Sequence, residues 1–117
     1  MILLFASLSA FTIAAIIGLM MAIDLFRGIP TQRFSILSHA GMTVLGALFA
    51  IGAALMGDSR VYVNIAMVVV IVVLGFLAVS RRFKTGEVQK GFILAHASLA
   101  VVCYLLLAST VFGLNIV

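Results

Sequence analysis

The chain has 117 residues, 66% of them hydrophobic and only 9% charged, against roughly 25% charged in a soluble domain. A soluble fold of this length covers only part of its apolar surface, so the composition excludes one and points to an integral membrane protein with the lipid bilayer as its solvent. The net charge of +4 does not call for nucleic acid, because the Lys and Arg residues cluster in short connections between apolar runs, where they set orientation.

Residues 2–24 form the first predicted span. They carry no charge before Asp24 and match one bilayer thickness of helix. A signal peptide does not explain this run, since no Lys or Arg precedes it and it is too long for an h-region. Asp24 to Arg33 make the first connection, broken by Gly28 and Pro30. The second span, 34–56, is polar only at Ser35, Ser38, His39 and Thr43. Gly57-Asp58-Ser59-Arg60 is a tight turn, with Asp58 or Ser59 as the cap of the next helix. The third span, 61–80, is rich in Val and Ile. In lipid such a run is a helix, because its backbone groups must be satisfied within the segment. Arg81 to Lys90 form the third connection, which includes Glu87 and the breaker Gly86. The fourth span is 91–116.

Four spans and short connections predict one transmembrane domain over residues 1–117, an all-α, up-down-up-down four-helix bundle. Six of the seven Lys and Arg residues lie in the first and third connections. These connections are therefore expected in the cytoplasm, with both termini on the outer face of what we read as a prokaryotic inner membrane.

The two halves, 1–57 and 58–117, align without a gap. Identities include Gly18/Gly75, Phe26/Phe83, Gln32/Gln89, Ile36/Ile93, Leu37/Leu94, His39/His96 and Ala40/Ala97, and Arg27/Lys84 and Arg33/Lys90 keep their charge. Matches at Gly, Phe, Gln and His carry weight in so apolar a chain. They predict a duplicated helical hairpin with parallel halves.

His39 and His96 are the only histidines. Ionisable groups inside a membrane are costly and mark functional sites. The alignment puts both at one depth, on diagonal helices of the bundle, with Gly18 and Gly75 level with them. His39, Thr43, Gly46, Ala50 and Ala54 share one stripe of span two, and His96, Ala100, Cys103 and Leu107 share the matching stripe of span four. The small residues leave space for a ligand or for close helix packing. Zinc or copper alone would want three or four ligands, and no other His, Asp or Glu lies within a span. A haem needs two axial ligands. A chlorophyll-type pigment needs one histidine per magnesium, so two such pigments are a further option. The lone Cys103 excludes an internal disulfide or a CxxC motif and reads as packing.

On these residues the chain resembles the haem-binding four-helix bundle of membrane b-type cytochromes. The resemblance covers the architecture of the four spans. It implies one haem b, with His39 and His96 as iron ligands and Gly18 and Gly75 giving the ring room to approach. Many such cytochromes carry two haems on four histidines. This chain offers two histidines and hence one haem, so a partner cofactor, a quinone or a larger membrane redox complex must complete the electron path. Arg33 and Lys90 precede the histidines by six residues, about 9 Å of helix, and can meet the haem propionates. The expected role is a non-catalytic electron-transfer subunit. Two rival readings are a small transporter or channel using the paired histidines, and a cofactor-free assembly subunit. No nucleophile–base pair, phosphate loop or hydride site is evident.

Overall fold

The computed structural model of the protein describes residues 1–86 and 90–113. Glu87, Gln89, the predicted end of span four at 114–116 and the side chain of Phe83 lie outside that description. Among the described residues, four α-helices make up the fold: α1 (Ile2–Phe26), α2 (Arg33–Leu55), α3 (Tyr62–Thr85) and α4 (Lys90–Val111). All four are long and apolar enough to cross a membrane, with mean hydropathies between 1.7 and 2.8.

The predicted spans hold to within two residues except at two ends: α3 runs on to Thr85, and α4, predicted to reach 116, ends at Val111, where a turn with Gly113 at φ 69° follows. Arg81, Arg82 and Lys84 favour the extension of α3. Arg and Lys are good helix formers, and their charge suits the negative end of a helix dipole. The breakers act as expected. Gly28 (φ 73°) sits just past α1, with Ile29 N–H bonded to Asp24 O at 2.8 Å and Gly28 N–H to Leu25 O at 3.2 Å. This is the paired closure that a left-handed glycine permits. Gly57 (φ 98°) closes α2 in the same way, with Asp58 N–H on Ala53 O. Asp58 then caps a single 3-10 turn, Ser59–Val61, accepting from Arg60 N–H at 3.1 Å and from the Arg60 guanidinium at 2.9 and 3.0 Å.

α1 packs along α2 and α3 along α4, giving two hairpins. The hairpins meet mainly through α1 against α4, and more sparsely through α2 against α3. The four helices thus enclose the order α1, α2, α3, α4, with α2 and α4 on a diagonal.

The best-packed part of the interior lies at the end that holds the 3-10 turn. Leu4, Leu8, Ala53, Val61, Leu107 and Val111 are buried together there, and Phe5 and Phe112 meet edge to face at 6.4 Å. One buried polar bond to a backbone carbonyl ties each hairpin internally. Ser7 Oγ donates to Gly46 O at 2.8 Å, and 57 residues on Asn64 Nδ2 donates to Cys103 O at 3.0 Å. The volumes at these two positions are complementary. Phe11 covers Gly46, where an added Cβ would meet the phenyl ring at 2.9 Å. In the other hairpin the smaller Val68 accompanies the larger Cys103.

Candidate functional site

The interior opens towards the other end of the bundle, the end carrying the two charged connections. Here α2 and α4 present His39 and His96. The imidazoles approach each other edge to face, with centroids 6.0 Å apart and planes inclined at 64°. Each ring is seated by its own hairpin. His39 Nδ1 is 2.7 Å from Ala14 O, and His96 Nδ1 is 2.8 Å from Ile71 O. A carbonyl oxygen can only accept, so Nδ1 carries a proton in both rings, and in the neutral imidazole Nε2 is then the lone pair.

The glycines explain why these carbonyls can be reached. In an α-helix the carbonyl of residue 14 already pairs with the N–H of residue 18, and that of 71 with 75. A side chain at position 18 or 75 would stand between the carbonyl and an incoming ring. Built on Gly18, a Cβ would lie 2.8 Å from His39 Cε1. On Gly75 it would lie 3.0 Å from His96 Cε1. The space beside each glycine is therefore filled by the imidazole itself, whereas the sequence reading gave it to a macrocycle.

Both rings line a cavity of about 80 Å³ together with residues of all four helices, among them Phe11, Val68, Cys103 and Tyr104. Its polar hydrogens are all committed elsewhere. Thr43 donates to His39 O at 2.8 Å, and the Cys103 thiol points to Asn64 O at 3.6 Å. Thr12 donates to Leu8 O, so the 2.7 Å contact between Thr12 Oγ1 and Tyr104 OH has the tyrosine as donor. The cavity thus offers lone pairs and apolar walls but no hydrogen-bond donor. Such a lining suits a Lewis acid and does not suit an anion or a hydrogen-bond acceptor.

The described residues contain no group of three or more His, Cys, Asp or Glu side chains able to hold a metal ion. The backbone carbonyls hold each ring from behind, as the hydrogen-bond partners of ligating histidines do. The cavity, at about 80 Å³, is well below the about 300–1,000 Å³ usual for a ligand pocket and does not hold a macrocycle as it stands.

The remaining site candidates are less central. Lys90 places its ammonium 5.5 Å from the Phe26 ring centroid, bridging the hairpins by a cation–π contact. Arg33 opens α2 and is exposed. Sequence reasoning missed Ser7, Asn64, Thr12, Tyr104 and Arg82. The first two were detectable as polar residues recurring 57 positions apart in otherwise apolar spans. The Thr12–Tyr104 bond has no counterpart in the other half, where Val69 and Ala47 stand, so only tertiary structure reveals it. No family model, curated protein or solved structure matches the chain, and the site's own geometry carries the functional reading.

Proposed function

We propose that the protein is a small, single-haem membrane cytochrome of the b type, built from a duplicated helical hairpin that supplies one axial histidine from each copy. The observation that supports this reading is the pair of imidazoles with centroids 6.0 Å apart, each held at Nδ1 by a backbone carbonyl of its own hairpin, beside a cavity lined by all four helices. The duplication is supported by bonds that recur 57 residues on: His39 to Ala14 and His96 to Ile71, Ser7 to Gly46 and Asn64 to Cys103.

Within this reading, His39 and His96 hold the iron, and Ala14 O and Ile71 O keep each ring as a neutral ligand with Nε2 forward. Gly18 and Gly75 let the rings reach those carbonyls. Phe11, Val68 and Ile71 keep the centre dry. The bound haem iron supplies a reversible one-electron change. Because all donors in the lining are used internally, nothing stands ready to stabilise a ligand bound to the iron, which favours electron transfer over small-molecule activation. One haem near the charged end cannot span a bilayer electrically, so the protein would work with a quinone or as a subunit of a larger redox complex. Both termini would face outward, with the basic connections in the cytoplasm.

The test is reconstitution. Protein purified from cells with adequate haem, or titrated with hemin in detergent, should show a sharp Soret band and, on reduction, a narrow alpha band at one haem per chain. Colourless protein that takes up no hemin would refute the reading and turn attention to flux assays for a histidine-based transporter.

A further inference from the structure

Of the seven Lys and Arg residues, Arg82 alone is half-buried, and the others are exposed. It lies seven residues beyond Gly75 on α3, an advance of about 10.5 Å that returns to within about 20° of the same direction. It therefore continues the stripe of α3 on which Ile71 and Gly75 meet His96. It is also the last residue of the apolar stretch Ser59–Arg82. Its guanidinium gives one N–H to Thr31 O at 3.1 Å. Among the described residues no carboxylate pairs with it, whereas Arg60 at the other end of the bundle holds Asp58 at 2.9 Å. Arg81 and Lys90 rest on rings instead, 5.7 Å from the Phe92 centroid and 5.5 Å from the Phe26 centroid. A half-buried charge that meets one neutral carbonyl has most of its planar fork still to satisfy.

Arg82 lines a second cavity, of about 270 Å³, together with Leu25, Ile29, Pro30 and Thr31 of the first hairpin. The cavity stands where α1 ends, α2 begins and the apolar stretch of α3 gives out, which is headgroup depth for spans of this length. Six of the seven Lys and Arg residues belong to this end, against two acidic residues, Asp24 and Glu87.

We propose that this cavity binds the phosphodiester of an anionic membrane phospholipid, with the Arg82 fork on the phosphate and the acyl chains left in the bilayer. The histidine pair plays no part in it. An arginine fork matches two phosphate oxygens, and basic pockets between spans are where anionic headgroups bind. Leu25, Ile29 and Pro30 offer apolar wall to the glycerol and the first methylenes. The volume of about 270 Å³ falls just short of the about 300–1,000 Å³ of pockets for whole ligands, which suits a headgroup with its chains outside. A headgroup bearing its own ammonium would set that charge among Arg27, Arg33, Arg81, Lys84 and Lys90, so phosphatidylglycerol is favoured over phosphatidylcholine. Both hairpins supply walls, so the lipid binds the closed bundle and stabilises it.

The experiment uses the whole chain, delipidated in a non-ionic detergent. Its melting temperature, followed by circular dichroism, is titrated with phosphatidylglycerol, with phosphatidylcholine of the same chains, and with inorganic phosphate. Wild type should reach its half-maximal rise with phosphatidylglycerol at about tenfold lower lipid than with phosphatidylcholine, the value of a hydrogen-bonded charge pair. It should not respond to inorganic phosphate. Arg82→Gln, which keeps an N–H for Thr31 O, should respond to both lipids alike. Ile29→Glu, at an exposed position of the lining, should do the same with Arg82 intact, because the new carboxylate occupies the fork. Lys84→Gln, exposed on the same helix, should keep the preference. Equal effects of the two lipids on wild type would overturn the proposal. So would a preference that survives in either Arg82→Gln or Ile29→Glu, or one that is lost in Lys84→Gln, since each marks diffuse attraction to the basic end. A rise with inorganic phosphate equal to that with phosphatidylglycerol would overturn the lipid assignment in favour of a soluble anion.

Discussion

Gly18→Ala places a methyl group 2.8 Å from Cε1 and 3.2 Å from Nδ1 of His39. Ordinary contact begins at 3.4 Å, so the ring must retreat by about 0.6 Å or the helices must separate. Either movement strains the 2.7 Å bond to Ala14 O. Overpacking costs about 1–3 kcal/mol, and a weakened interhelical hydrogen bond adds about 0.6 kcal/mol. Alanine in place of glycine returns up to about 1 kcal/mol of helix propensity. The net expectation is a loss of about 1–2 kcal/mol. Gly75→Ala starts from 3.0 Å and needs a retreat of about 0.4 Å, so its loss should be smaller. Gly41→Ala, in the same helix as His39 but with nothing near its added Cβ, should be neutral or stabilising. Thermal unfolding followed by circular dichroism in detergent should rank Gly18→Ala below Gly75→Ala, then wild type, with Gly41→Ala at or above it. Hemin affinity should fall in the two histidine-facing variants only. A Gly18→Ala protein as stable as wild type would refute the idea that the imidazole needs this glycine.

Gly46→Ala should destabilise the fold, because its methyl meets the Phe11 ring at 2.9 Å. Adding Phe11→Val should recover most of the loss in a double-mutant cycle, and purely additive effects would contradict the volume exchange. Asp58→Ala should cost about 0.5 kcal/mol, the low end for a cap at an exposed turn. The hydrogen bond from Arg60 lowers the Asp58 pKa from 3.8, so this contribution is fully present above pH 3.8 and is lost as pH falls through the lower folded value. The gap in melting temperature between wild type and Asp58→Ala should therefore stay constant down to that pH and close only below it. In intact cells, a membrane-impermeant thiol reagent should label a cysteine placed at Ser59 and miss one at Thr85, and the reverse pattern would invert the proposed topology.

The helices were legible because their signal is collective. Four long apolar runs leave little choice, and the glycines at 28, 57 and 86 mark their ends through positive φ angles. The end of α3 was missed because Arg81 to Thr85 leave the apolar pattern while remaining good helix formers. At the site, the offset of 57 residues brought out the histidines and glycines as a set. It could not tell which group fills the space beside each glycine, because that depends on where the imidazole turns once Nδ1 finds a carbonyl. Ala14 and Ile71 were invisible for the same reason, since they act through backbone oxygens that any residue supplies. Arg82 was passed over because it has no counterpart in the first half. It stands out only once the stripe of α3 is seen to face a cavity.

The account depends most on two histidines acting together on one iron. The direct measurement is the low-temperature electron paramagnetic resonance spectrum of ferric, hemin-loaded protein, taken for wild type, His39→Ala and His96→Ala. Wild type should give the spread low-spin signal of an iron with two nitrogen axial ligands. Each single variant should lose that signal and show high-spin iron or no bound haem. Retention of the wild-type low-spin spectrum in both single variants would contradict the account.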